Sequence, residues 1–423
     1  MKVRISKSKA SGIVAVPPSK SVGHRALIAA SLANGVSIIK NLGHSKDIEA
    51  TVSALKCLGA DISLDGDTAT VNGKSIDIAS DVVFCNESGS TLRFMIPLFA
   101  LSDKEVTFTG AGKLMKRPQD VYRDLFREEK LKFEHKEDSI VIKGPLKSGN
   151  FTLDGSISSQ FITGLLFALP LCEGDSTLTI KEPFESRSYV DITIDILNKF
   201  GIEIIFKDKN TLFIKGSQKY LSRDLTVEGD YSSAAFPALL GAINNEITIT
   251  GLADNSKQGD KVFFDYLKEA GVNVYKKDET YVVTPGEYKE AVFDLADCPD
   301  LGPALMTYAC FANKKAEFKN IARLRYKESD RVECVCNVLK KFGYHFDIKE
   351  NELTVLAEKD EVREKELIID SHNDHRLAMS FAVLATVSDK DVIITTAEAV
   401  NKSYPDFYED LKKCGVKVEV LND

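Results

Sequence analysis

The sequence predicts an α/β protein built from six copies of one unit of about 70 residues, and three observations in it lead there. The first is a helix end, a glycine and an alternating strand, repeated as LKCLGADI at Gly59, LNKFGIEI at Gly201, LKEAGVNV at Gly271, LKKFGYHF at Gly343 and LKKCGVKV at Gly415. The second is a set of almost wholly apolar helices, one per unit. The third is a series of β-rich runs between them: VSIIKNL, EVTFTG, STLTIKEP, EITITGL, KAEFKNI and DVIITTA. Repetition at a fixed period marks an architecture in which one supersecondary unit recurs.

Each element has a local reason. Glycine after a helix supplies the left-handed residue that ends it. From Gly201 onward these glycines recur every 70 to 72 residues, and Gly59 lies two periods earlier. The missing member falls near residue 130, where LFREEKLKFEH keeps the pattern without glycine. The apolar helices begin near Ser21, Gly89, Ser159, Ser232, Leu301 and Asp374. Each of these starts offers Ser, Thr, Asn, Asp or Gly as N-cap, and helices apolar on every face belong inside. The second helix of each unit is amphipathic and belongs outside, so a unit reads strand–helix–strand–helix plus further strand. Solenoid repeats are shorter than this, and propeller blades lack helices.

Composition bounds the function. The 423 residues carry 55 Lys+Arg and 63 Asp+Glu, a net charge of −8, with 43% apolar and 28% charged residues. This is a globular profile and not that of a nucleic-acid binder, although a local cation cluster can still take a small anion. Eight scattered cysteines without a paired CxxC read as reduced core residues of a cytoplasmic protein. No apolar run reaches membrane-spanning length, and no leader peptide is expected.

The chemistry-bearing residues gather at the apolar-helix starts, where unsatisfied N–H groups favour anions. Lys20, Ser21 and Arg25 open the first; Gly89 lies in NESGSTLRF at the second, followed by the basic loop of Lys113, Lys116 and Arg117. Ser158, Ser159 and Gln160 open the third, with Ser186 and Tyr189 one helix later. Asp300, the alternating run Arg323 to Arg331 with Lys327 and Glu328, then His375 and Arg376, and finally Lys402, belong to the second half. Taken singly, each cluster also fits capping and solvated charge. Together they suit acid–base and electrostatic chemistry among small polyanions. P-loop, GxGxxG, GxSxG and zinc-site spacings are absent, and no metal is expected.

In series, PPSKSVGHRALIAASLANG, NESGSTLRF, KRPQD, GSISSQF, SRSYVDIT, VEGDYSSAAF, CPDLGPALMT, RYKESDRV, NDHRLAMSF and NKSYPDF resemble the EPSP synthase family over essentially the whole chain. That resemblance implies a two-domain inside-out α/β barrel, three βαβαββ repeats per domain with the helices inside. The N-terminal domain would span residues 18–229 and the C-terminal domain 1–17 plus 230–423, the N-terminus joining the latter as a strand, with the site in the cleft between them. It implies transfer of the enolpyruvyl group of phosphoenolpyruvate (PEP) to the 5-hydroxyl of shikimate-3-phosphate, inhibition by glyphosate, a monomer and no cofactor. By the same resemblance, Lys20, Ser21, Arg25, Ser158, Ser159, Gln160, Ser186, Tyr189, Asp300, Arg323 and Lys327 hold shikimate-3-phosphate. Lys20, Gly89, Gln160, Arg117, Arg331, Arg376 and Lys402 hold PEP, and Asp300, Glu328, Lys20 and His375 are catalytic. The chain departs from the family pattern at Arg323 (often Asn), Glu87 (usually Asn), Ser90 (Thr) and Phe94 (Pro). The related transferase acting on UDP-N-acetylglucosamine fits less well, because the loop Ala111 to Asp120 lacks that enzyme's cysteine.

Overall fold

The computed structural model describes residues 1–421 and contains the repeated unit six times. Each repeat supplies a buried helix followed by an amphipathic one: α1 Lys20–Leu32 and α2 Lys46–Cys57; α3 Gly89–Phe99 and α4 Asp120–Glu128; α5 Ser159–Ala168 and α6 Arg187–Lys199; α7 Tyr231–Ile243 and α8 Val262–Glu269; α9 Gly302–Ala312 and α10 Arg331–Lys341; α11 His375–Ala385 and α12 Phe407–Lys413. Every residue of α7 and α11 is buried, and α3 leaves only Ser90 partly exposed. These helices lack a polar face, so only their first turns are free to carry chemistry.

The chain divides into two compact units, Pro18–Glu228 and Met1–Pro17 with Gly229–Asp423. Each holds three four-stranded sheets around its own apolar core. Within a repeat the first strand pairs parallel to the second across the buried helix, and a hairpin completes the sheet antiparallel. Thus Asn150–Asp154 runs parallel to Ser176–Lys181, which pairs antiparallel with Thr211–Ile214 and through it with Ile204–Phe206. Alternate residues of each strand point into the core, as in Phe151 and Leu153 or Leu178 and Ile180.

The N-terminal segment forms two strands in two different sheets, where the sequence suggested one. Gly12–Ala15 is the parallel first strand beside Ile247–Thr250. Lys2–Ser6 lies antiparallel between Asp391–Thr395 and Lys417–Leu421, taking the place of the fourth strand that the last repeat lacks. In the other unit, Leu225–Thr226 closes the set by pairing parallel with Gly35–Lys40.

Caps mostly follow the expected chemistry. Ser19, Ser88, Ser158, Asp230 and Asp374 each accept a backbone N–H from their helix's first turn. The exception is α9, which has no side-chain cap and starts from the 3-10 turn Pro299–Leu301. That turn places Asp300 one residue before the N-cap position, which Leu301 holds. At the amphipathic-helix ends, Gly59, Gly201, Gly271, Gly343 and Gly415 all have φ between +80° and +107°. In the repeat without glycine, exposed Lys130 takes this role at φ +57°. Leu131 N then reaches Phe126 O at 2.7 Å, closing the helix end as a glycine would.

A left-handed conformation costs a side-chain-bearing residue about 1–2 kcal/mol, part of which glycine gives back as unfolded-chain entropy. Lys130→Gly is therefore expected to stabilise the Pro18–Glu228 unit by about 0.5–1 kcal/mol. A urea titration checks this, and a lowered midpoint at unchanged slope would contradict it.

Candidate active site

In the unit Pro18–Glu228 the polar residues form three groups. Lys20, the first residue of α1, pairs with Asp47 at the start of α2, Nζ to Oδ2 2.7 Å. Arg25, one turn into α1 and almost fully buried, donates from Nε to Thr193 Oγ1 at 2.8 Å and from Nη2 to Tyr189 O at 3.1 Å. Its guanidinium also lies 5.0 Å from the centre of the Phe94 ring. Thr193 bonds Thr163 at 2.9 Å, so α1, α5 and α6 are fastened through hydroxyls beneath Ser158, Ser159, Ser186 and Tyr189. Ser186 sits at φ +55°, an uncommon conformation for a residue with a side chain, as the N-cap of α6.

The third group centres on Gly89. Arg93 Nη1 donates to Gln160 Oε1 at 2.8 Å and Nη2 to Pro118 O at 2.8 Å; Gln160 Nε2 donates to Ser90 Oγ at 3.0 Å. A Cβ on Gly89 would lie 3.0 Å from Arg117 Nη1 and 3.3 Å from Gln160 Oε1. The absence of a side chain there is what leaves room beside Arg117. The close approach of α3 and α5 depends on a second glycine: a Cβ on Gly164 would lie 2.4 Å from Arg93 O. Beneath these groups His24 Nδ1, Thr51, Thr91 and Ser88 form a chain of 2.6, 2.7 and 2.8 Å contacts. Burial pushes the His24 imidazole down to about 3, so it is a neutral structural member of that chain.

In the other unit Asp300 is the centre. Its Oδ1 is 3.0 Å from Arg331 Nη1 and 3.3 Å from Lys327 Nζ, and its Oδ2 is 3.0 Å from Arg376 Nη2. Arg331 also grips Asp374, Nε to Oδ2 2.8 Å and Nη2 to Oδ1 3.3 Å, with Ser329 Oγ on the same carboxylate at 3.0 Å. His375 Nδ1 lies 2.9 Å from Glu328 Oε2. Arg376 donates to Ser232 Oγ at 3.0 Å, and buried Lys402 reaches Asn373 O at 2.6 Å. Arg323, on the 3-10 turn before Lys327, reaches Ala296 O at 3.4 Å.

Burial by itself would raise the Asp300 carboxyl, but the charges of Arg376, Lys327 and Arg331 outweigh it and hold the group well below the usual carboxylate range. Burial moves Lys327 down to about 8, against the pull of Asp300, with Arg331 and Arg323 adding to the depression. Glu328, Asp374 and His375 place ligand atoms within 4.8 Å of one another. Both Asp374 oxygens are already bound by Arg331 and the helix cap, so this set is committed to the protein's own cation.

The predicted residues thus fall into local clusters within each unit. The sequence gives no sign of the roles of Asp47, Thr163 and Thr193, marks Asp374 only as a helix start, and leaves Arg93 without a role although NESGSTLRF contains it. Their signal was weak, since each reads as an ordinary cap or helix residue until its distant partner is known. Removing the Asp374 carboxylate would strand the buried Arg331 guanidinium. Asp374→Ala is expected to destabilise its unit by about 3–5 kcal/mol. Chemical denaturation measures this, and a loss below about 1 kcal/mol would mean the pair is not the strut described.

Residues 5–411 match the model of the EPSP synthase (3-phosphoshikimate 1-carboxyvinyltransferase) family. The chain is 43% identical over 420 residues to the 3-phosphoshikimate 1-carboxyvinyltransferase of Clostridium kluyveri, covering 99% of this chain and 98% of that protein. It is 42% identical to the enzyme of the same name from Clostridium perfringens strain SM101, covering 97% of each. Among solved structures it resembles EPSP synthase from Acinetobacter baumannii, with a TM-score of 0.80 at 23% identity over 99% of this chain and 100% of that one. It also resembles the enolpyruvyl transferase NikO from Streptomyces tendae, with a TM-score of 0.79 at 17% identity over 99% and 98%. These likenesses identify the fold as the inside-out α/β barrel.

Proposed function

The chain belongs to the EPSP synthase (3-phosphoshikimate 1-carboxyvinyltransferase) family, and from that premise we propose that it transfers the enolpyruvyl group of PEP to the 5-hydroxyl of shikimate-3-phosphate. The observation that carries the chemistry is one ionised carboxylate, Asp300, ringed by Lys327, Arg331 and Arg376.

The reaction needs no covalent enzyme intermediate. The hydroxyl oxygen bonds to C2 of PEP, its proton goes to a base, and C3 takes a proton to become a methyl group. The adduct then loses a methyl proton, re-forms the double bond and expels phosphate. Asp300 is assigned as the base for the hydroxyl. As the substrate anions engage Arg331 and Arg376, the charges that hold Asp300 low are shared, and its basicity rises when it is needed. Glu328, oriented by His375, and Lys20, oriented by Asp47, are the groups for proton traffic at C3.

Binding roles follow the clusters. Ser158, Ser159, Ser186, Tyr189, Ser21, Arg25, Gln160 and Lys20 are assigned to shikimate-3-phosphate, with Arg323 and Lys327 from the second unit. Gly89, Arg117, Arg331, Arg376 and Lys402 are assigned to PEP, with Lys20 and Gln160 between the two. Glyphosate, an anion of similar size, would compete with PEP. The protein would act as a cytoplasmic monomer; no helix among the described residues is long and apolar enough to cross a membrane.

The deciding assay measures phosphate release from PEP with shikimate-3-phosphate and, separately, with UDP-N-acetylglucosamine. Release with the first and not the second is expected; release only with the sugar nucleotide would reject the reading. Two variants sharpen it. Gly89→Ala puts a methyl 3.0 Å from Arg117 Nη1, so KM for PEP should rise about tenfold or more while KM for shikimate-3-phosphate stays near its value. An unchanged KM for PEP would remove Gly89 from that subsite. Lys327 works as a cation, so kcat/KM for shikimate-3-phosphate should fall as pH rises through about 8. Lys327→Arg, which keeps its charge at higher pH, should push that limb upward. An identical alkaline limb in the variant would assign it to another group.

A further inference from the structure

The segment Gly110–Pro118 carries Arg117, and its ends are fastened to the neighbouring loop and helix that begin at Cys85. At one end Cys85 N donates to Thr109 O at 2.8 Å and Ala111 N to Asn86 O at 2.7 Å. At the other, Arg93 Nη2 donates to Pro118 O at 2.8 Å. Between them the backbone turns twice, Leu114 N to Ala111 O and Arg117 N to Leu114 O, both 3.2 Å.

Over this span lies the side chain of Glu87. A Cβ built on Gly112 would lie 2.6 Å from Glu87 Oε2, 2.8 Å from its Cδ and 3.2 Å from its Cγ. Gly112 is exposed with φ +58°, and half-buried Glu87 occupies the volume that a side chain at residue 112 would take. The carboxylate arm therefore rests against bare backbone at the crest of the segment. Its own backbone is held by the left-handed turn at Asn86, φ +51°, two residues before Ser88 caps α3. Loop, crest and arginine form one short mechanical chain: Glu87 on Gly112, Gly112 to Arg117, Arg117 beside Gly89.

We infer that Glu87 is a positioning residue that clasps the Gly110–Pro118 segment by packing on Gly112, and so sets where the Arg117 guanidinium stands beside Gly89. The inference rests on the assignment of Arg117 to PEP for its kinetic consequence, while the clasp itself is a property of the free protein. At Gly112 a side chain of glutamate length fits the gap left by the glycine.

The test compares Glu87→Ala, which removes the arm, with Glu87→Gln, which keeps its length. Two quantities are read: hydrogen–deuterium exchange of the 111–117 amides in the free protein, and steady-state kinetics. For Glu87→Ala, exchange across 111–117 should accelerate, and KM for PEP should rise about tenfold with kcat within about twofold, because a displaced arginine weakens binding more than chemistry. Glu87→Gln should keep both wild-type values. Wild-type exchange in Glu87→Ala, an effect on kcat or on KM for shikimate-3-phosphate in place of KM for PEP, or a Glu87→Gln variant as impaired as Glu87→Ala would each overturn the clasp. If the wild-type protein releases no phosphate from the two substrates, the functional reading fails, and the exchange data still decide the clasp.

Discussion

Six helices with no polar face constrain everything else in this protein. A helix such as α7, buried along its whole length, must sit inside its unit, and sheets and amphipathic helices must cover it. Only its first turn, where N–H groups lack intrahelical partners, can meet a ligand. Repeating that unit places helix starts, with their anion preference, at corresponding points of each repeat. The residues that differ among the repeats at those points then decide the chemistry. A chain of net charge −8 can still offer cations locally, because Lys20, Arg331 and Arg376 lie in the first turns of their helices.

The two halves use this plan differently. Around α1, α3 and α5 the polar groups are largely hydroxyls and amides held by hydroxyl chains, such as Thr163 with Thr193 and Thr51 with Thr91. Around α9 and α11 they are charges: Asp300 and Asp374 interleaved with Arg331, Arg376 and Lys327. Alternating signs keep each buried ion compensated, since an unpaired one would cost several kcal/mol. The same alternation gives the site its reserve. Arg331 is locked to Asp374 on one side and can share its other face between Asp300 and an incoming anion. In the proposed reaction a carboxylate whose counter-charges are shared with substrate becomes a better base.

The architecture was legible because its signals are local. The glycines at Gly59, Gly201, Gly271, Gly343 and Gly415 mark helix ends by backbone geometry alone, and the apolar runs mark the inside helices. The exceptions are where a local rule was met by another residue or another part of the chain. Lys130 adopts the glycine conformation because the repeat's geometry demands it. The strand Lys2–Ser6 completes a sheet nearly four hundred residues away, which no local pattern announces. The α9 start lacks a capping side chain because apolar Leu301 holds the N-cap position, and Asp300 just before it pairs with cations. The candidate site residues are assigned largely through the family resemblance. The partners that hold them, Asp47 for Lys20, Thr193 for Arg25 and Asp374 for Arg331, are contacts across the fold, invisible until it is drawn.

In the proposed reaction the Asp300 carboxylate takes the proton of the substrate hydroxyl. The measurement is single-turnover formation of product from PEP and shikimate-3-phosphate by Asp300→Asn, alongside the dissociation constant for shikimate-3-phosphate. The amide keeps the shape and cannot accept the proton, so the rate should fall by about 10²–10⁴ while binding is retained within about tenfold. A variant that binds shikimate-3-phosphate and turns over at the wild-type rate would contradict the account.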